Sequence, residues 1–329
     1  SDQSYFLAES GVEDVIYRLI TNTPVASEGQ PFLIGSFLAT TNTVDGGGAK
    51  TITTTANWND GIRKIRAILI AGTGVTFHYA VQSGSGGFSL GNGAGINGNV
   101  YSNGSVNGGN HSFITGDAFA VGSVNGVDVQ GETQTGVSPV PLPISDDQIT
   151  EWKGDAATQV FVGNKNLNGT GNTLGPIKIQ GNLTLGNNAS LVVNDTIWVT
   201  GGISLGNNAS IALASSYGTR SGVVIADGAI SLGNSGLSGS GDSNSELMLI
   251  SLSTSGSAIS LGNNFGAVVL YAPNGTINIG NNANIAAMTA KTISLGNNVV
   301  IDYKQGLIDL VFSSGPSGGW RIQNWQEIP

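Results

Sequence analysis

The sequence predicts a mainly β protein: a three-sided parallel β-helix preceded by an N-terminal α-helix and a small antiparallel β-meander. Three observations carry that expectation. First, a short phrase recurs: Ser89-Leu90-Gly91-Asn92, Thr184-Leu185-Gly186-Asn187, Ser204-Leu205-Gly206-Asn207, Ser231-Leu232-Gly233-Asn234, Ser260-Leu261-Gly262-Asn263, Asn278-Ile279-Gly280-Asn281 and Ser294-Leu295-Gly296-Asn297. Subtracting positions, its glycines from Gly186 onward lie 20, 27, 29, 18 and 16 residues apart, and internal repeats of that period mark a solenoid. Second, Val, Ile and Leu alternate with polar residues between the phrases, as at Leu183 and Leu185, Leu191 and Val193, and Ile197 and Val199. Third, Gly, Asn, Ser and Thr separate these runs, as turns separate many short strands.

The elements follow in order. Residues 3–21 read as a helix, with Tyr5, Ala8, Val12, Val15, Ile16 and Leu19 in one apolar stripe, ended by Pro24. Residues 31–82 read as a meander of Phe32–Thr41, Lys50–Trp58, Ile62–Ile70 and Val75–Val81, separated by Asp45–Gly48, Asn59–Gly61 and Gly72–Gly74. A helix on such a sheet forms an α+β layer, and residues 1–82 are expected to be one domain. Residues 83–329 are expected to be the β-helix, each coil stacking on the one before it at about 4.8 Å. The handedness of parallel crossovers predicts a right-handed coil.

Residues 131–175 interrupt the repeat. Pro139, Pro141 and Pro143 stiffen the chain, and Ser145-Asp146-Asp147-Gln148 opens a short helix with Ile149, Trp152 and Ala156 inward. This reads as an insertion on the solenoid flank. Residues 303–329, with Phe312, Trp320, Ile322 and Trp325, are expected to cap the last coil.

Composition narrows the function. Net charge is −9, only 10% of residues are charged, and 39% are hydrophobic. That excludes an expanded, charge-driven disordered chain and speaks against nucleic-acid partners, which need clustered Lys and Arg. With no cysteine, disulfides, Cys-based zinc sites and thiol nucleophiles are excluded. No run is long and apolar enough to span a bilayer.

The candidate functional residues are few. Asn187, Asn207, Asn234, Asn263, Asn281 and Asn297 recur in the phrase and are expected to stack as an amide ladder, after glycines that supply a left-handed turn. The Asn, Ser and Thr face they belong to could meet glycans or a crystalline surface. Asp195 and Asp242 each follow a phrase glycine by nine positions, as a pair of glycan-cleaving carboxylates might be spaced, with no third charged group on their register. Asp242, Asn244 and Glu246 alternate like the first half of a Ca²⁺ loop, without its closing half; Ca²⁺ is the one cofactor that this leaves as a candidate. His78 and His111 have no partner at ligand spacing.

The segment Ser4-Tyr5-Phe6-Leu7-Ala8-Glu9-Ser10-Gly11-Val12-Glu13-Asp14-Val15-Ile16-Tyr17-Arg18-Leu19 resembles the stretch that follows the membrane helix in type IV pilin-like and minor-pilin proteins of bacteria. The meander behind it is similar to the sheet of a pilin head. The solenoid resembles bactofilin-type and adhesin-type β-helices in architecture. The resemblance implies a bacterial surface or extracellular protein, a membrane anchor before Ser1, and filament subunits as partners of the N-terminal helix. It covers the first quarter, and the prepilin cleavage site and hydrophobic helix of that family are absent from the sequence. The expected function is non-enzymatic: structural or adhesive display, as a minor or tip pilus component. Two alternatives stand beside it, a β-helical polysaccharide lyase or hydrolase, and a solenoid subunit that polymerises end to end.

Overall fold

A computed structural model describes residues 2–20, 25–46, 49–71, 77–234, 236–262, 268–303, 312 and 320–328. The chain is mainly β, with an N-terminal helix, an antiparallel sheet and a set of parallel sheets. It divides into two compact units, Ser1–Gly74 with Ser317–Pro329, and Val75–Pro316. The boundaries expected from sequence, 1–82 and 83–329, shift at both ends.

In the first unit, helix α1 (Asp2–Ile20) lies on an antiparallel sheet of Gln30–Ile34, Phe37–Gly46, Ala49–Trp58, Gly61–Ala71 and Trp320–Ile328. Leu7, Ala8, Val12 and Val15 bury against Ala39, Ile52, Ala56, Ile65, Ala67 and Leu69. The helix approaches closest at Gly11: a Cβ there would sit 2.7 Å from Thr54 Cγ2. Beneath it the Thr41 and Thr54 hydroxyls are hydrogen-bonded at 2.7 Å, so two buried polar groups satisfy each other. The strand expected over Phe32–Thr41 is two strands, because the chain turns at Gly35 with φ 62°.

The C-terminal residues expected to cap the β-helix do something else. Trp320–Ile328 pairs antiparallel with Gly61–Ala71 in the first unit. It covers a strand edge that would otherwise present unpaired backbone groups, and Trp325 packs against the helix-covered core while Ile322 is exposed. Phe312 belongs to the second unit, where it bridges Ser221 and meets Phe77 edge-on at 5.7 Å. The rest of 304–319 lies outside the described residues.

In the second unit the strands are short, mostly three to five residues, and pair in parallel in three rows. Among the described residues the chain visits the rows in one order: Ile177–Gln180, Leu183–Leu185 and Ser190–Val193, then Ile197–Val199, Ile203–Leu205 and Ser210–Leu213. The third row is described as two sheets, one from Asn172–Leu174 to Gly236–Ser238 and one from Asn284–Ile285 to Asp128–Val129. In register, Leu183 pairs with Ile203 and Leu185 with Leu205. These columns are buried along most of the stack, so the interior is mainly a ladder of Leu, Ile, Val and Ala, joined by Phe88, Met288 and Tyr217 and by the buried hydroxyls of Ser83, Ser102 and Ser251.

The order of stacking departs from the order of sequence. Consecutive coils were expected to stack from residue 83 onward. Instead, Val81–Leu90 pairs with Ala287–Leu295, Met288 with Val81 and Leu295 with Leu90. Residues 81–135 therefore stack beyond the round that ends at Asp302, while Val160–Val162 begins the opposite end and pairs only with Ile177–Gln180 among the described strands. The chain starts in the middle, runs outward to Thr133–Thr135, returns to the far end, and climbs back to where it began. Ladder strands at Thr133–Thr135, Val160–Val162, Lys165–Leu167 and Asn172–Leu174 reduce the insertion expected over 131–175 to about residues 136–159.

That segment is the return path. About ten steps of roughly 4.8 Å separate its ends, or about 48 Å. Ten residues of extended, Pro-rich chain at about 3.1 Å each, with eleven helical residues in α2 (Asp146–Ala156) at about 1.5 Å, reach about 47 Å. Length and path agree. The strap docks along the outward side of the first row. The Tyr101 hydroxyl donates to the Ser138 carbonyl, Asn103 exchanges bonds with Val140 (2.7 and 2.9 Å), Gln82 Nε2 donates to the Pro141 carbonyl (2.8 Å), and the Tyr271 hydroxyl donates to the Ile144 carbonyl (2.9 Å). Ser145 caps α2 by accepting from the Gln148 N–H at 3.2 Å. Ile149 and Trp152 bury with Val223, Ile225, Met248, Ile250 and Tyr271. Lys153 ends the path 2.6 Å from Asp227, whose other oxygen accepts from Trp198 Nε1 at 3.0 Å.

Candidate functional site

The Leu-Gly-Asn phrase forms a corner between the second and third rows. Its leucine faces the core. Its glycine is not the left-handed residue that was expected. The positive φ falls on the second asparagine of the turn: 58° at Asn188, 56° at Asn208, 59° at Asn282 and 54° at Asn298. Asparagine tolerates that conformation better than most side chains. The glycine is needed for space. A Cβ at Gly206 would lie 2.5 Å from Asn187 Oδ1, and one at Gly296 2.8 Å from Asn281 Oδ1.

Those amide oxygens sit there because they bind the next round. The Asn207 N–H donates to Asn187 Oδ1 at 2.9 Å, Asn297 to Asn281 Oδ1 at 2.8 Å, Asn92 to Asn297 Oδ1 at 2.9 Å and Asn110 to Asn92 Oδ1 at 2.9 Å. The asparagine ladder is thus side chain to backbone rather than amide to amide. Asn234 is placed with its Oδ1 3.1 Å from where a Cβ on Gly262 would be, and Asn263 lies outside the described residues.

A second ladder went unnoticed in the sequence. The Asn182 N–H donates to Asn164 Oδ1 (2.9 Å) and Gly202 to Asn182 Oδ1 (2.8 Å); Asp117 donates to Asn99 Oδ1 (2.8 Å) and Glu132 to Asp117 Oδ1 (2.8 Å). Its signal was the dipeptides Gly163-Asn164, Gly181-Asn182, Gly98-Asn99 and Gly116-Asp117.

Each strand of the second row has one outward residue. Reading the registers along the stack, these are Asn166, Thr184, Ser204, Ser231, Ser260, Asn278, Ser294, Ser89, Asn107 and Asn125. The row is an unbroken line of hydroxyls and amides without a single charge. Nine steps of roughly 4.8 Å make it about 43 Å long.

The carboxylates are elsewhere. Asp195 and Asp242 occupy the same corner, after the third row, two rounds apart. Asp195 Oδ1 accepts from the Thr196 N–H at 2.6 Å. Burial pushes its carboxyl up to about 6; the Thr196 bond opposes the shift, Asp155 of α2 adds to it and Arg220 opposes it. Contrary to the sequence reading, the round between the two aspartates does bring charge to this register. Burial raises the Tyr217 hydroxyl and lowers the Arg220 guanidinium, and each feels Asp195. Among the described residues the buried Tyr217 hydroxyl has no hydrogen-bond partner.

Asp242 is exposed, and its Oδ1 accepts from the Asn244 N–H at 2.9 Å as a turn bond. Glu246 is buried, and its N–H donates to Ser221 Oγ at 2.9 Å. Among the described residues no three His, Cys, Asp or Glu side chains come together as a metal site. His78 and His111 are both exposed. No helix among the described residues is long and apolar enough to cross a membrane.

No protein-family model matches the chain, and no curated protein does. Among solved structures, the competence-associated pilin ComZ from Thermus thermophilus is similar at 10% identity and a TM-score of 0.34, over 100% of this chain and 97% of its own.

Proposed function

We propose that this chain is a structural and adhesive display protein of the bacterial surface, not an enzyme. Its second unit is a parallel β-helix, right-handed by the crossover rule, and serves as a stiff presenting rod. Its first unit is a pilin-like base that joins pilus or filament subunits through α1, as a minor or tip component of a type IV pilus-like appendage. The observation that carries the reading is the uncharged outward row from Asn166 to Asn125, joined by continuous parallel pairing. A surface of that kind suits contact with neutral surface glycans and holds no acid–base pair. The base is supported by the close seat of α1 at Gly11 and by Phe6 and Tyr17, which stand 61% and 67% exposed on the outer side of the helix.

A glycan-cleaving β-helix is the second reading, favoured by Asp195 beside Arg220. Against it, the Tyr217 ring of that cluster is fully buried in the stack core, out of reach of a surface-bound chain. Immunogold electron microscopy on the native cell surface tests the proposal. Label along or at the tips of filaments supports it; even label over a filament-free surface sinks it.

A further inference from the structure

Two ends of the stack carry no strand partner among the described residues. One is the round of Val160–Val162, Lys165–Leu167 and Asn172–Leu174; the other ends in Thr133–Thr135, Val124–Asn125 and Asp128–Val129. Both edges run in the same direction, so a second copy set head to tail would continue every row. The seam inside the molecule, Ala287–Leu295 on Val81–Leu90, is a junction of that geometry between segments far apart in sequence.

Inward columns decide whether such a junction can form. Lys165 stands in register with Leu183 and Ile203, both buried in the core. The lysine is turned in rather than out, and its Nζ lies 4.3 Å from the centre of the Phe161 ring. Phe161 itself continues the inward column of Ile179 and Val199. At the other end the inward columns of Ala118 and Ala120 finish in exposed Thr133 and Thr135. Among the described residues no carboxylate faces inward there to receive a lysine: Glu132 is exposed and accepts from Gln134 Nε2 at 2.8 Å, and Asp128 is exposed.

We propose that Lys165 is a stop. It closes this end of the rod against a second copy of the chain, because head-to-tail stacking would bury an unpaired ammonium over Val124. This rests on the reading of the second unit as a parallel β-helix, and it assigns self-association to the helical base rather than to the rod ends.

Sedimentation of the full chain tests it with two substitutions. Lys165→Ile should shift the protein from its wild-type mass to species of twice that mass and above, rising with concentration and visible as linear chains. Adding Val124→Lys, which puts a charge on the facing inward column, should return the wild-type mass. Three results overturn the stop. Lys165→Ile could melt cooperatively and sediment like wild type. It could associate without reversal by Val124→Lys. Wild type could form chains that Val124→Lys abolishes. None of these bears on where the protein lies on the cell, so failure here and failure of the display reading are distinguishable.

Discussion

The Asn92 N–H donates to the Asn297 amide oxygen at 2.9 Å, across 205 positions of sequence. This bond spans the seam where the first and last rounds of the second unit meet. Asn297→Ala removes an acceptor that an already paired backbone donor uses. A hydrogen bond of this kind contributes about 1 kcal/mol, so the unfolding free energy should fall by that amount, seen as a lower denaturant midpoint at unchanged slope. Asn187→Ala, away from the seam, should cost a similar amount through Asn207.

The phrase glycine can be tested against its neighbour. Gly206→Ala places a methyl 2.5 Å from Asn187 Oδ1, and overpacking of that sort costs about 1–3 kcal/mol. If space is the cause, the double variant Asn187→Gly, Gly206→Ala should be less destabilised than the two single effects added, in a double-mutant cycle by chemical denaturation. Strict additivity would refute the steric account.

Gly11 makes the same argument in the base. Gly11→Val drives two methyls toward Thr54 and the buried Thr41–Thr54 bond. The first unit should lose about 2 kcal/mol or more, seen as loss of amide protection in Ala49–Trp58 and not in Leu183–Leu185. Equal loss in both would place the effect elsewhere.

Trp152 is buried where the strap crosses Ile225 and Ile250. Trp152→Ala should cost about 3–5 kcal/mol. Hydrogen exchange should then accelerate along 138–156 first, because those residues are held by the outward column and not by ladder pairing.

Asp195 gives a pH signature. Its carboxyl is raised from an ordinary 3.8 to about 6, so the folded state binds a proton that the unfolded state has released. Stability therefore falls as pH rises from about 4 to 6 and stays lower above that. Asp195→Asn should leave stability near pH 3.5 almost unchanged. At pH 7 it should raise stability by about 1–2 kcal/mol, after allowance for the partial exposure of the site. A variant that gains nothing at pH 7 would refute the shift.

Much of this architecture was legible locally. Alternation at Leu183 and Leu185, the capped helix after Ser145 and the apolar stripe of α1 all report contacts between near neighbours. The order of stacking was not legible. Met288 pairs with Val81 rather than with a later round, and nothing in a repeat says which copy is its neighbour, since each leucine fits any other. The role of the phrase glycine was misread for a related reason: its constraint comes from an amide one round away, not from its own backbone. Asp195 was singled out by spacing, but Arg220 and Tyr217 were missed because the loops around them vary in length. The C-terminal strand was misassigned because aromatic residues suit a sheet edge and a solenoid end equally well.

The return path of the strap also governs how force would pass through the molecule. Val81 and Asp302 lie on neighbouring rounds, but beyond Asp302 the chain touches the stack again where Phe312 bridges Ser221, several rounds away. Tension between Val81 and Phe312 is therefore shared by every round from Gly222–Ala226 to Val81–Leu90, while the strands of 160–213 and 100–135 lie outside that load path.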